Sequence, residues 1–158
     1  MFKELSQHIL DIAMNSLSAN AKKVQISILE SRRRDRLVLR VQDDGCGMDT
    51  ATLKRVLASP TTTKRNRKKP IGLGLAFLRQ TSEMCDGRFL VRSVAGRGTS
   101  VTASMRLSHI DRPPLGDLSA TILALCATDR KMNVRLNYRT DDKSLYFDTQ
   151  ELATKGKV

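Results

Sequence analysis

The pair Asp11 and Asn15, in the stretch LDIAMNSL, has a spacing that could support chemistry. Residues four apart on a helix lie one turn apart on the same face. A carboxylate can orient a water molecule, and an amide oxygen can ligate Mg²⁺. The neighbouring residues are apolar, and a carboxylate in such surroundings requires a partner. The pair indicates either a site for magnesium and water or an exposed polar stripe, and alone it does not separate the two.

A second candidate is the segment DDGCGM at 43–48, directly after a predicted strand. Gly45 and Gly47 let the backbone turn tightly and approach a ligand closely. The Asp43 carboxylate at the strand end can accept a hydrogen bond from an exocyclic amine. An ordinary strand-to-helix turn also uses Asp and Gly, so both interpretations stay open at this point.

A third candidate is the segment Gly72-Leu73-Gly74-Leu75, which opens a predicted helix. Small residues at a helix start expose backbone N–H groups, and the helix dipole favours an anion there. Five basic residues within 64–69 precede it, so loop, charge and helix start coincide and favour an anion site. The segment is neither a P-loop nor a dinucleotide fingerprint. The fourth segment, GRGTS at 96–100, indicates a hairpin turn.

These segments are placed on elements by the period of the apolar residues. The pattern predicts helices at 3–18, 49–58, 72–85 and 118–127. It predicts strands at 24–29, 37–42, 88–94, 99–107, 132–139 and 144–148. Residues 59–71 have no periodicity and predict a mobile loop. The proline-rich stretch at 109–117 predicts a linker between a main domain and a smaller extension.

Composition limits the class of protein. The chain has 158 residues, a formal net charge of +12 and 40% hydrophobic residues, which fits one globular domain. The sequence contains neither an apolar run of about 20 residues nor the layout of a secretory signal, so we expect a cytoplasmic protein without a membrane span. The three cysteines and two histidines show no spacing typical of a zinc site.

The four segments, in this order, resemble the boxes of the GHKL superfamily. The stretch from Asp11 to Leu17 is similar to its N box, and DDGCGM to its G1 box. Residues GLGLA at 72–76 are similar to the G2 box, and Gly98-Thr99 to the closing GT element. The span from 72 to 105 is particularly similar to the end of a histidine-kinase catalytic domain. The resemblance covers about residues 3–107.

The resemblance implies the Bergerat fold, an α/β (α+β) two-layer sandwich with a mixed, mostly antiparallel sheet. We expect this ATP-binding domain at 1–108, a linker at 109–117, a helix and β-hairpin extension packed on it at 118–150, and a disordered tail at 151–158. Residues 59–71 become the ATP lid.

The resemblance also implies ATP and Mg²⁺ as ligands and assigns roles. Asn15 corresponds to the Mg²⁺-binding asparagine, and Asp43 to the aspartate that recognises the adenine amino group. The remaining expected ATP-binding residues are Gly45, Gly47, Met48, Lys64, Gly72, Leu73, Gly74, Leu75 and Thr99. Such a site neutralises triphosphate charge with Mg²⁺, a helix dipole and a lysine.

Asp11 is the expected catalytic residue, and it departs from the family pattern. Anti-sigma kinases and ATPases of the superfamily carry glutamate at this position, and many histidine kinases carry asparagine. Ser18 stands where the family often has a basic residue. Whether the protein transfers phosphate or hydrolyses ATP therefore stays open. For His8, inside the N box, a packing role is favoured over that of a phosphoacceptor.

The expected function is that of a Mg·ATP-binding, histidine-kinase-like domain in a regulatory pair, acting as a protein kinase or slow ATPase. A histidine kinase carries its phosphoacceptor histidine on a dimerisation helix pair, and here we expect the acceptor on a separate protein partner. The alternative is a non-catalytic, ATP-dependent switch that recruits a partner, and a homodimer is a further possibility. A nucleic-acid binder, suggested by the charge, is disfavoured because aromatic content is only 4%.

Overall fold

The computed structural model describes residues 3–58, 73–129 and 131–155. The helices are α1 (Leu5–Ser18), α2 (Thr50–Ala58), α3 (Leu73–Met84), α4 (Leu118–Thr128) and α5 (Thr149–Lys155). The strands are β1 (Lys23–Ser31), β2 (Arg36–Asp43), β3 (Phe89–Val94), β4 (Gly98–Arg106), β5 (Asn133–Thr140) and β6 (Ser144–Asp148).

The strands form one sheet in the order β3-β4-β2-β1-β5-β6. Neighbouring strands pair antiparallel except β1 and β5, which run parallel in register from Lys23 opposite Asn133 to Glu30 opposite Thr140. A parallel pair needs a long crossover connection, and here that connection includes three intervening strands and three helices. The carboxy-terminal hairpin thus extends the same sheet that carries the predicted site segments.

One face of the sheet packs against helices and forms the core. Alternate residues of β1, β2, β4 and β5 are buried on this face, such as Ile26 and Ile28 of β1 and Leu39 of β2. From the helices, Leu5 and Ile9 of α1 are at most 1% exposed and complete the two-layer sandwich.

The start of α1 is fixed by the proline-rich stretch at 109–117. The first N–H groups of a helix lack partners within the helix. Here the amides of Leu5 and Ser6 donate to the carbonyls of Pro114 (2.9 Å) and Leu115 (2.8 Å). The Thr121 hydroxyl of α4 also donates to the Ser6 carbonyl (3.3 Å). The helix that carries Asp11 and Asn15 is therefore tied directly to the carboxy-terminal part of the chain.

The structure confirms the predicted two-layer fold with a mixed, mostly antiparallel sheet. It differs from the prediction at the carboxy terminus, where a disordered tail was expected from residue 151. Residues 149–155 form α5, because the Asp148 carboxylate accepts from the Gln150 amide (2.8 Å) and starts the helix. The boundaries at 108 and 118 stay a prediction, and the predicted loop at 59–71 lies outside the described residues. Within the described ranges, no helix is long and apolar enough to cross a membrane.

Candidate functional site

Asp43, the last residue of β2, is held by donors from three different elements. The Ser16 hydroxyl of α1 donates to Oδ2 (2.6 Å). The amides of Gly45 (2.9 Å) and Thr99 (3.3 Å) donate to Oδ1. Hydrogen bonds to a charged carboxylate are shorter and stronger than neutral ones. The carboxylate is thus fixed where α1, the loop after β2 and the start of β4 meet.

The loop at 44–49 lies against the β3–β4 hairpin through a chain of hydrogen bonds. The Met48 amide donates to the Ser93 hydroxyl (2.8 Å), and this hydroxyl is 2.8 Å from that of Thr99. The Gly96 amide donates to the Cys46 carbonyl (2.6 Å). The two predicted segments DDGCGM and GRGTS therefore form one backbone structure around Asp43.

Gly47 is required by both its conformation and its surroundings. Its φ is +65°, in the left-handed region that favours glycine. A Cβ atom at this position would overlap the Val94 carbonyl at the end of β3. Only glycine lets the loop lie this close to the hairpin.

Asp11 lies against the start of α3. A Cβ atom at Gly74, the second residue of α3, would overlap the Asp11 carboxylate. Asn15, one turn further along α1, is half-buried like Asp11. The first and third predicted segments are therefore adjacent in space, as a joint site for magnesium and phosphate requires. His8, one turn earlier, is fully buried.

His8 carries no charge at neutral pH. Desolvation by burial, followed by the positive charge of the amino terminus, lowers the pKa of His8 to about 4. The burial agrees with a packing role, because a phosphoacceptor has to reach solvent or a nucleotide.

The structure brings described site residues together at two places along α1: Asp43, Gly45 and Thr99 lie near Ser16, and Gly74 lies beside Asp11. Leu73 begins α3, and Leu75 is 4% exposed, so its side chain belongs to the core. Lys64 and Gly72 lie outside the described residues.

Two residues of this site were missed by sequence reasoning. No motif or period in the sequence singles out Ser16 or Ser93, yet both position other site groups. The signal for Ser16 was a small polar residue at a buried position of α1, where it is 2% exposed. Such a residue needs a hydrogen-bond partner.

The donor chemistry around the site limits how a metal could be held. Among the described residues, no group of three or more His, Cys, Asp or Glu side chains is placed to bind a metal ion. Mg²⁺ commonly uses only one or two protein groups together with substrate phosphates and water. Asn15 and Asp11, adjacent on one face of α1, fit this mode and do not fit an all-protein cage.

A separate cleft of about 170 Å³ lies between α2 and α3. Its lining residues are Val56, Leu57, Leu75, Ala76, Arg79, Gln80 and Glu83. Of the described site residues, only Leu75 lines this cleft, and the volume is below the roughly 300 Å³ of small ligand pockets. We therefore base the candidate site on the groups around Asp43 and Asp11.

The first two thirds of the chain match a known protein family. Residues 1–109 match the family described as histidine kinase-, DNA gyrase B-, and HSP90-like ATPase. A sensor protein of Shewanella frigidimarina is 29% identical over 110 residues, which are 69% of this chain and 17% of that protein. The sensor histidine kinase ZraS of Salmonella typhimurium is 29% identical over 99 residues, 62% of this chain and 21% of that protein.

Two solved structures share the fold. The N-terminal domain of a DNA repair protein has a TM-score of 0.61 and 15% identity, over 92% of this chain and 52% of that one. The Aquifex aeolicus MutL ATPase domain, complexed with ADP, has a TM-score of 0.57 and 16% identity, over 93% of this chain and 64% of that one. The chain thus spans about a fifth or less of these two sensor proteins and over half of each of the two solved structures.

Proposed function

Because the chain belongs to the histidine kinase-, DNA gyrase B-, and HSP90-like ATPase family, we propose that it binds ATP with Mg²⁺ and acts as a protein kinase or slow ATPase. The observation that carries the proposal is the position of Asp43. Its carboxylate is fixed by three donors beside a loop that only glycine can form. A rigid acceptor at the edge of a backbone cradle is suited to recognising a base.

The number of acceptor positions on Asp43 supports an adenine amine as its ligand. A carboxylate offers about four lone-pair positions. Gly45 and Thr99 use those of Oδ1, and Ser16 uses one of Oδ2. One position on Oδ2 remains for an exocyclic amine. Guanine presents a carbonyl oxygen where adenine has this amine, and a carboxylate would repel it.

The other end of the site is suited to phosphates. α3 begins at Leu73, and its amino-terminal dipole favours negative charge. In this proposal Gly72, Gly74 and Lys64 surround the phosphates, and Asn15 ligates Mg²⁺, which would neutralise triphosphate charge. The position of Asp11 beside Gly74 supports a role in orienting the attacking water or protein hydroxyl.

The acceptor of the phosphoryl group is proposed to lie on another protein. The match covers only 17% of the sensor protein and 21% of ZraS, so most of each of those proteins lies outside the matched region. His8 is fully buried. We propose a cytoplasmic, regulatory role with a partner protein as phosphoacceptor.

An ATP turnover assay on Asp11→Asn tests the enzymatic part of this proposal. We expect ATP binding to persist while turnover falls at least about 100-fold, the usual contribution of a general base. Asp117→Asn is the matched control, since Asp117 caps α4 by accepting from the Ala120 amide and asparagine caps equally well. Unchanged turnover in Asp11→Asn would contradict the catalytic role.

One observation favours the alternative of a non-catalytic switch. The N–H groups at the start of α1 donate hydrogen bonds to the carbonyls of Pro114 and Leu115. Movement of α1 would therefore displace the stretch that leads to α4. A nucleotide that shifts α1 could then expose or hide a partner surface. Turnover that is negligible in the wild type, together with ATP-dependent proteolytic protection at 109–117, would favour the switch over the enzyme.

A further inference from the structure

The face of the sheet that points away from the helices carries seven arginines from four strands or their ends. Strand register places these residues on one side of the sheet. They are Arg36, Arg40, Arg88, Arg92, Arg106, Arg135 and Arg139. We call this side the open face, because Leu90 and Tyr146 on it are 49% and 54% exposed.

The positive charge of the open face is largely uncompensated. The six strands contain three acidic residues, and strand alternation places Glu30 and Asp43 on the helix side. Asp148, on the open face, is 4% exposed and accepts from Arg135 (2.8 Å). Asp86, at the edge, pairs with Arg106 (3.3 Å). Five arginines therefore give the face an excess of positive charge.

The arginines are close enough to act together. Strands lie about 4.8 Å apart, and alternate residues along a strand are about 6.7 Å apart. The Debye length at physiological salt is about 8 Å, so neighbouring guanidinium groups share one positive potential. Concentrating charge of one sign destabilises a compact protein, and a polyanion would relieve this repulsion.

The other residues of the open face indicate which polyanion binds. The arginines alternate with Ser27, Ser100, Thr102, Ser104, Gln42 and Asn137. Hydroxyl and amide side chains of this kind, with arginine, are among the groups that contact nucleic-acid phosphates. The fully buried centre of a protein interface, in contrast, is more apolar than the surface around it. Here Arg40 is exposed on the central strand β2, while the exposed Leu29 and Leu90 lie on separate strands.

We propose that the open face binds the phosphodiester backbone of nucleic acid without reading its sequence. Low aromatic content disfavours binding by base stacking, but contacts to phosphates do not need stacking. This site is separate from the proposed nucleotide site and does not depend on it.

The test measures binding of a fluorescein-labelled duplex of about 20 base pairs, and of one of its single strands, by anisotropy over a salt series without nucleotide. The face variant is Arg40→Gln/Arg92→Gln/Arg139→Gln, all at exposed positions. For the duplex, log K should fall linearly with log salt, by about 0.9 per phosphate contact. The face variant should lower this slope by up to about 3 and weaken binding at least tenfold at about 0.1 M salt.

The matched control is Lys3→Gln/Arg79→Gln/Lys131→Gln, which removes the same charge at exposed positions outside the open face. Its salt slope should equal that of the wild type. Equal losses in both variants would show only a general charge effect and overturn the proposal. Displacement of the duplex by poly-glutamate at equal charge concentration would overturn the proposal in favour of an acidic protein partner. Absence of duplex binding at low salt would also overturn the proposal. Thermal melting of both variants checks that the fold is intact.

Discussion

Replacing Ser16 by alanine should weaken both the fold and the site, because Ser16 joins α1 to the carboxylate of Asp43. Its hydroxyl is 2.6 Å from Oδ2, and the residue is 2% exposed. A hydrogen bond to a charged group contributes about 1.5–3 kcal/mol. Asp43 is half-buried, and water can partly replace the lost donor, so we expect the lower end, a loss of about 1.5 kcal/mol in the free energy of unfolding.

The same substitution removes the donor that holds Oδ2, so the Asp43 carboxylate can rotate away from the base. ATP affinity should therefore fall about tenfold, equivalent to about 1.4 kcal/mol. Urea unfolding and calorimetric titration measure the two effects. Ser18→Ala is the matched control, because Ser18 is exposed on the same helix and its hydroxyl donates to the Met14 carbonyl at 3.3 Å. If Ser16→Ala and Ser18→Ala gave the same stability and the same affinity, the positioning role of Ser16 would be refuted.

Three further predictions concern single residues. Gly47→Ala should cost more than about 2 kcal/mol and abolish ATP binding, whereas Gly96→Ala, with positive φ (+82°) but no atom within 4 Å of an added Cβ, should cost only about 1 kcal/mol in urea unfolding. Because the pKa of His8 is about 4 in the folded chain and 6.5 ordinarily, the unfolded chain takes up the proton first. Stability should therefore fall as pH drops from 6.5 to 4, by at most about 1.4 kcal/mol per unit, and His8→Gln should flatten that slope. Burial, followed by the hydrogen bond to Glu30, raises the pKa of Tyr138 to about 12, so Tyr138→Phe should remove the step at highest pH from an ultraviolet titration of the tyrosines.

The local elements could be predicted because their patterns are local. Alternation in VQISIL and LVLRVQ predicts the strands β1 and β2, and the helical period of the apolar residues at 3–18 predicts α1. The place of β5 could not be predicted in this way. A period of two indicates a strand but does not determine which strand it pairs with. β5 pairs with β1, which lies more than 100 residues earlier in the chain.

In the candidate site, too, local features could be predicted and contacts between distant segments could not. Glycines and a carboxylate in DDGCGM predicted a backbone cradle, since only certain residue types permit one. The contacts of Ser16 and Ser93 depend on how α1 and β3 lie beside the loop, which no local pattern gives. The open face could not be predicted for the same reason. Its arginines come from separate strands, and only the register of the sheet brings them to one side.

The central claim is that Asp43 recognises the adenine of a Mg²⁺-dependent nucleotide. Calorimetric titration with a non-hydrolysable ATP analogue, with and without Mg²⁺, tests it on wild type, Asp43→Asn and the control Asp44→Asn. Asp44 accepts from the amides of Lys22 (2.8 Å) and Lys23 (2.9 Å) and is assigned no contact with the base. We predict binding that Mg²⁺ strengthens, at least about tenfold weaker in Asp43→Asn than in Asp44→Asn. No binding at millimolar analogue, or equal affinity in the two variants, would contradict the claim.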